Sequence, residues 1–160
     1  MAIQVGEKLP DVTLKTMTAD GIKDITTREL FGGKRVVLFA LPGAFTPTCS
    51  AKHLPGFIEQ AAALRAKGVD RIVCLSVNDA FVMGAWGKAQ NAGDKVMLVA
   101  DGNAAFSEAV GLAFDGSGFG MGTRSQRYAM IVQDGVVKKL FVEKPMEFKA
   151  SSAEAVLAAL

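Results

Sequence analysis

Cysteine is nearly missing from this chain. Its 160 residues hold two, Cys49 and Cys74, beside a single histidine, His53. Two cysteines are too few for the disulfide framework of a small secreted domain and suit a reducing compartment. They also leave too few soft ligands for a metal. Cys49 and His53 stand four apart, but only Cys74 and carboxylates could complete a coordination set, so no structural zinc site is expected. Charge of one sign is equally scarce: the net charge is +2 and no long run of Lys or Arg occurs, which argues against nucleic-acid or membrane-surface partners. No apolar run approaches the ~20 residues of a membrane helix. Met1–Pro10 lacks the basic and apolar regions of a secretory signal, so a cytoplasmic location is expected.

Apolar residues, by contrast, make up 50% of the chain and charged residues 21%, the balance of one well-packed domain spanning 1–160. Asp11–Thr16 and Ile22–Ile25 around the Asp20-Gly21 turn form an N-terminal hairpin. Thr26–Glu29 is a capping box for one helical turn, stopped by Gly32-Gly33. Val36–Leu41, Arg71–Val77 and Val96–Ala100 are apolar strands alternating with helices, which implies parallel pairing through crossovers. Asn78 or Asp79 caps the helix that carries Phe81 to Ala89, and a shorter helix runs over Ala104–Val110. Asp115–Thr123, with glycine at every second position, is expected to be an exposed, mobile loop. Arg127–Val132 and Val136–Val142 flank Gln133-Asp134-Gly135 as a second hairpin, and Ser151–Glu154 opens a terminal helix. The fold class is α/β: a mixed sheet covered on both faces by helices, a three-layer sandwich. Sites in such sheets form at the carboxyl ends of the parallel strands.

One stretch stands there. Leu41–Pro55 leaves the first parallel strand and enters a helix with Leu54, Phe57, Ile58, Ala61 and Ala62 on one face. Cys49 lies between the two, where the N–H groups and positive end of a new helix favour a thiolate, the reactive form. A cysteine hydrolase would need His53 as base, yet no third group is evident to orient it. A dithiol oxidoreductase would carry C-x-x-C, whereas Thr46-Pro-Thr-Cys49 has threonine in the first position. Sulfur redox chemistry survives that substitution; simple dithiol exchange does not.

Pro42-x-x-x-Thr46-x-x-Cys49 matches the P-x-x-x-T-x-x-C signature of the peroxiredoxins, and Pro42–Phe57 resembles their type II, peroxiredoxin 5-like subfamily. Cys74–Val82, Trp86 and Met130–Gly135 resemble the same group. The resemblance implies a thioredoxin-like fold and thiol-dependent reduction of hydrogen peroxide and organic hydroperoxides, without a bound cofactor. Cys49 takes the place of the peroxidatic cysteine, which passes through sulfenic acid. Thr46 offers a hydroxyl to the reacting oxygens, Pro42 shields the sulfur, and Arg124 stands in the place of the active-site arginine. Arg127 is its neighbour and competitor. Phe45 and Phe119 are candidates for an apolar mouth.

The sulfenic acid must then be resolved by a thiol. No cysteine follows Cys74, which sits 25 residues beyond Cys49 in mid-strand. Disulfide formation needs Cα atoms within ~7 Å, so Cys74 is expected to pack as a small hydrophobe rather than resolve. An external thiol, glutathione with glutaredoxin or thioredoxin, is the expected reductant, and a homodimer the expected assembly. The competing reading is a peroxide-sensing relay that exchanges disulfides with a partner protein.

Overall fold

Arg35–Leu41 (β3) alternates between two cores. Val37, Phe39 and Leu41 enter one apolar cluster and Val36, Leu38 and Ala40 the other, all without solvent exposure. A strand buried on both faces must be covered on both, and each of its buried valines, leucines and phenylalanine contributes about 1.5–3 kcal/mol. The same alternation recurs in Arg71–Ser76 (β4), where Ile72 and Cys74 face the first cluster and Val73 and Leu75 the second. In the computed structural model, which describes residues 1–160, these strands lie inside a seven-stranded sheet whose order is Gly21–Thr26 (β2), Thr13–Thr18 (β1), Met97–Ala100 (β5), β4, β3, Tyr128–Gln133 (β8) and Val136–Val142 (β9).

β3 pairs in parallel with β4, and β4 with Met97–Ala100 (β5). Tyr128–Gln133 (β8) and Val136–Val142 (β9) run antiparallel at one edge; Thr13–Thr18 (β1) and Gly21–Thr26 (β2) close the other. The sheet is therefore mixed, as its hairpins require. Asp134 and Gly135, at φ 48° and 77°, make the two-residue turn between β8 and β9, whose left-handed backbone matches the twist of the strands.

The first cluster fills the space under the helices Leu54–Glu59 (α2), Ala61–Ala66 (α3), Ala80–Ala89 (α4) and Ala153–Ala159 (α6). The second lies under Thr27–Phe31 (α1) and Ala105–Ala109 (α5). Thr26 and Glu29 form the reciprocal capping box at α1. Asp79, not Asn78, caps α4, accepting from Val82 N–H at 2.8 Å. Three layers result, as expected from the order of elements.

The glycine-rich segment differs from its expected form. Ala113–Asp115 (β6) and Thr123–Ser125 (β7) pair as a two-stranded ribbon with a 3₁₀ turn, Ser117–Phe119, at its tip. Gly116 N–H donates to Gly122 O at 2.7 Å, and a Cβ on Gly116 would meet that oxygen at 2.9 Å. Glycine serves close backbone approach here, which a reading of glycine as flexibility misses. Phe119 at the tip is 70% exposed.

Candidate active site

The chain leaves β3 at Leu41 and turns sharply. Phe45 sits at φ 63°, Thr46 Oγ1 donates to Gly43 O at 2.7 Å, and Ser50 N–H to Thr46 O at 2.9 Å. A π-helical turn, Cys49–His53, follows and runs into α2, with Leu54 N–H reaching back to Cys49 O. Pro55 has no N–H to continue an ordinary ladder, so the wide turn falls where a backbone bond would be lost anyway. The loop is tied to the sheet from outside. Asn78 Oδ1 accepts from Ala44 N–H at 2.9 Å and from Ser76 Oγ at 2.6 Å, while Trp86 Nε1 donates to Ser50 Oγ at 3.0 Å. Cys49 itself is fully buried.

β8 runs antiparallel to β3 with Tyr128 opposite Ala40, so Arg127 arrives level with the end of β3, beside the cysteine turn. Its Nη2 donates to Cys49 Sγ at 3.1 Å and its Nη1 to His53 Nδ1 at 2.8 Å. The other arginine lies elsewhere. Arg124, on β7, donates from Nε to Met121 O at 3.0 Å and from Nη1 to Pro42 O at 3.2 Å. The cation on the sulfur is thus Arg127, a correction to the choice of Arg124; Arg124 instead braces the Pro42–Gly43 turn. A Cβ on Gly43 would come within 2.7 Å of Arg124 Nη1, so glycine leaves room for that brace.

His53 is buried against Phe39, Phe57 and Phe148, whose ring centroids lie 5.0, 5.7 and 4.9 Å away. Burial, and then the Arg127 charge, lower its pKa to about 3, against a raising hydrogen bond to Ser151. The ring is neutral at ordinary pH. Its Nε2–H donates to Ser151 O at 3.0 Å, a partner 98 residues away rather than a local helical one. Ser151 is held in turn: Glu143 Oε2 accepts from Ser151 N–H at 2.8 Å, Ser151 Oγ at 2.7 Å and Lys149 N–H at 2.7 Å. Sequence reasoning reads Ser151 only as the start of the terminal helix and gives Glu143 and Phe148 no role; all three reach the site because β9 returns along β8 and brings the tail over α2.

Cys74 lies opposite Phe39 on β4, two residues before the pair Leu41 and Ser76 at the strand ends. It shares the core layer of Cys49. Burial, together with the neighbouring Cys49, pushes its thiol well above the usual range, against a lowering by Arg127. Both cysteines are free. Phe45 is 57% exposed beside the turn, its ring 6.4 Å from that of Trp86.

The Redoxin family profile matches residues 4–157. Peroxiredoxin-2E-2, chloroplastic, of Oryza sativa subsp. japonica is 55% identical over 163 residues, covering 99% of this chain and 72% of that one. Peroxiredoxin-2B of Arabidopsis thaliana is 46% identical, covering 99% and 98%. The chain belongs to the peroxiredoxins. A solved structure, reduced Prx3 of Vibrio vulnificus in complex with H2O2, superposes on this peroxiredoxin with a TM-score of 0.95 at 57% identity, covering 98% of each chain. The thioredoxin-like fold and the type II resemblance agree with these relatives. This peroxiredoxin is a thiol-dependent peroxidase, an oxidoreductase that acts on a peroxide and is recycled by a thiol reductant. The relatives favour that activity over a relay module.

Proposed function

We propose that Cys49 is the nucleophile of this peroxidase. The observation that carries the reading is the Arg127 guanidinium aimed at Cys49 Sγ from 3.1 Å within a buried turn. A permanent cation donating to sulfur uses it as an acceptor, which a thiolate serves far better than a thiol. The thiolate attacks the terminal oxygen of ROOH. A sulfur–oxygen bond forms, the O–O bond breaks, sulfur is oxidised to sulfenic acid, and the departing RO⁻ takes up a proton to leave as an alcohol or water. The Arg127 charge stands where negative charge moves from sulfur to the leaving oxygen. Thr46 donates its proton to Gly43 O, which leaves its oxygen free to accept from a peroxide O–H. Pro42 keeps the turn stiff and presents its carbonyl to Arg124. Peroxide supplies the oxidising equivalents and thiol the reducing ones, so the cycle asks for no bound cofactor.

Hydrogen peroxide and small organic hydroperoxides are the proposed substrates, with exposed Phe45 and Phe119 as apolar contacts for the latter. The reductant is an external thiol, glutathione with glutaredoxin or thioredoxin. Burial and a raised thiol make Cys74 a poor resolving group. Two free thiols suit the reducing cytoplasm, where we place the protein. The assembly is a homodimer, supported by three exposed phenylalanines: Phe45 on the cysteine loop, Phe81 in the first turn of α4 and Phe119 at the ribbon tip.

The test is peroxide consumption with each thiol system supplied, followed by mass analysis of both cysteines. Cys49→Ser is expected to abolish turnover, and Cys74→Ala to retain it with one external thiol system. Full turnover in Cys49→Ser would sink the nucleophile assignment. A Cys49–Cys74 disulfide in the oxidised wild type, with turnover lost in Cys74→Ala, would make Cys74 the resolving residue.

A further inference from the structure

We infer that His53 is the positioning residue of Arg127, and that the tail segment Glu143–Ser151 sets the guanidinium through it. The inference rests on the reading of Cys49 as the reacting thiol. Arg127 has no carboxylate partner: the ion pairs of the molecule involve Lys15, Lys23 and Lys149. Its geometry must be fixed in some other way. Two guanidinium nitrogens are anchored, Nη2 by Cys49 Sγ and Nη1 by His53 Nδ1 at 2.8 Å. Of these, only the imidazole stays unchanged while sulfur goes through its redox cycle.

Nδ1 accepts from an arginine only if the ring's single proton sits on Nε2. The Ser151 carbonyl, 3.0 Å from Nε2, selects that tautomer. That carbonyl is held because Glu143 Oε2 gathers the Ser151 N–H, the Ser151 hydroxyl and the Lys149 N–H. Glu143 N–H also donates to Arg127 O at 2.9 Å, so the chain of contacts closes on the backbone of the arginine it serves. Phe148 completes the cage, its ring 5.8 Å from the Arg127 guanidinium carbon and 4.9 Å from the imidazole centroid.

The chemistry explains why the positioning group is a neutral imidazole. A carboxylate in its place would hold the guanidinium as firmly but neutralise the charge that sulfur and the leaving oxygen need. A neutral acceptor fixes the fork and leaves the whole charge directed at Cys49. The one histidine of the chain therefore acts neither as a base nor as a metal ligand.

Three variants separate this role from packing. His53→Leu removes the acceptor; His53→Asn keeps an acceptor oxygen near the Nδ1 position; His53→Gln keeps a donor near Nε2 without the acceptor beside Arg127. Oxidation of Cys49 by hydrogen peroxide, followed by Trp86 fluorescence in stopped flow, is expected to slow about tenfold or more in His53→Leu and His53→Gln. His53→Asn should recover most of the wild-type rate. Combined with Arg127→Lys, His53→Leu should add little, because both act on one contact. Alkylation of Cys49 by iodoacetamide, read by peptide mass, is expected to follow the same order without involving peroxide. If His53→Leu does not fold, the contrast between Asn and Gln still decides. The inference is overturned if Asn is as slow as Gln in both reactions, or if the losses from His53→Leu and Arg127→Lys multiply in full. A wild type that alkylates but does not react with peroxide would overturn the peroxidase reading instead, while the alkylation order would still judge His53.

Discussion

Arg124 and Arg127 carry the same charge three positions apart, and their neighbours give them different work. Arg127 divides its fork between a sulfur and an imidazole; Arg124 spends its donors on two carbonyls, Met121 O and Pro42 O. Lysine offers one compact ammonium and cannot span both Arg127 partners. Arg127→Lys is therefore expected to slow peroxide reduction about 10–100-fold, the worth of a charged hydrogen bond. Arg124→Ala, which loosens the Pro42–Gly43 turn from behind, should cost less than about tenfold. Initial rates at subsaturating peroxide decide between them, and a larger loss in Arg124→Ala would return the active-site cation to that residue. Sequence alone leaves this open for a physical reason. Arg124 stands before the strand read from the sequence and Arg127 opens it, and a shift of one residue in where β8 begins reverses the direction of a side chain. The place of Cys49 was easier to see, because an apolar strand and a helical stripe bracket it on either side.

Among the elements, the tail between β9 and α6 was the least legible. It has no helix or strand of its own, and its meaning lies in contacts to Cys49–His53, far away in sequence. Glu143 organises it. Burial would raise its pKa, but hydrogen bonds from the Ser151 hydroxyl and from the backbone of Ser151, Lys149 and Ala150 outweigh that and lower it from its ordinary 4.5. A carboxylate lowered on folding adds stability that is fully present above its ordinary value and is lost as pH falls through the folded value. Asp101 works in the opposite sense. Burial raises it despite donors at Phe106 and Ser107, so its contribution is greatest in acid and fades as pH rises. Glu143→Gln isolates the first effect. It is expected to lower the unfolding free energy at neutral pH by about 1–3 kcal/mol and to flatten the decline in stability below pH 4.5. Urea unfolding across that range checks both; an acid limb as steep as wild type would remove Glu143 as its source. The β6–β7 ribbon was misread at the same scale, since alternating glycines mark a tight backbone pairing as well as they mark freedom.

For the molecule as a whole, the order of strands and helices was legible because every buried strand of β3–β5 is an apolar run between turn signals. Which strands become neighbours was less so: β1 joins the sheet at β5 through one aligned pair, Lys15 and Ala100, a placement no local pattern specifies. The completed sheet leaves its aromatic surface unevenly spread. Phe45 lies on the cysteine loop, Phe81 in the first turn of α4 and Phe119 at the ribbon tip, exposed by 57, 66 and 70%. The contacts that fix the loop draw these three sites together. Asn78, just before α4, binds Ala44, while Arg124, on the ribbon, binds Pro42. Large exposed aromatics grouped in this way are the usual anchors of a protein interface, and a stable one covers roughly 800 Å² on each partner. The proposed homodimer would use this surface. Phe81→Glu combined with Phe119→Glu places like charges in apolar contacts of both copies and leaves the loop residue Phe45 untouched. Sedimentation at micromolar concentration is expected to show a wild-type dimer and a monomeric variant that keeps the wild-type far-ultraviolet circular dichroism and loses only the concentration-dependent part of the thermal midpoint. A wild type that sediments as a monomer, or a variant that stays dimeric, would take the interface away from this surface. If Phe45 is covered by the partner, the monomeric variant should also lose part of its peroxide rate, because the turn that carries Cys49 would lose a support on its exposed side.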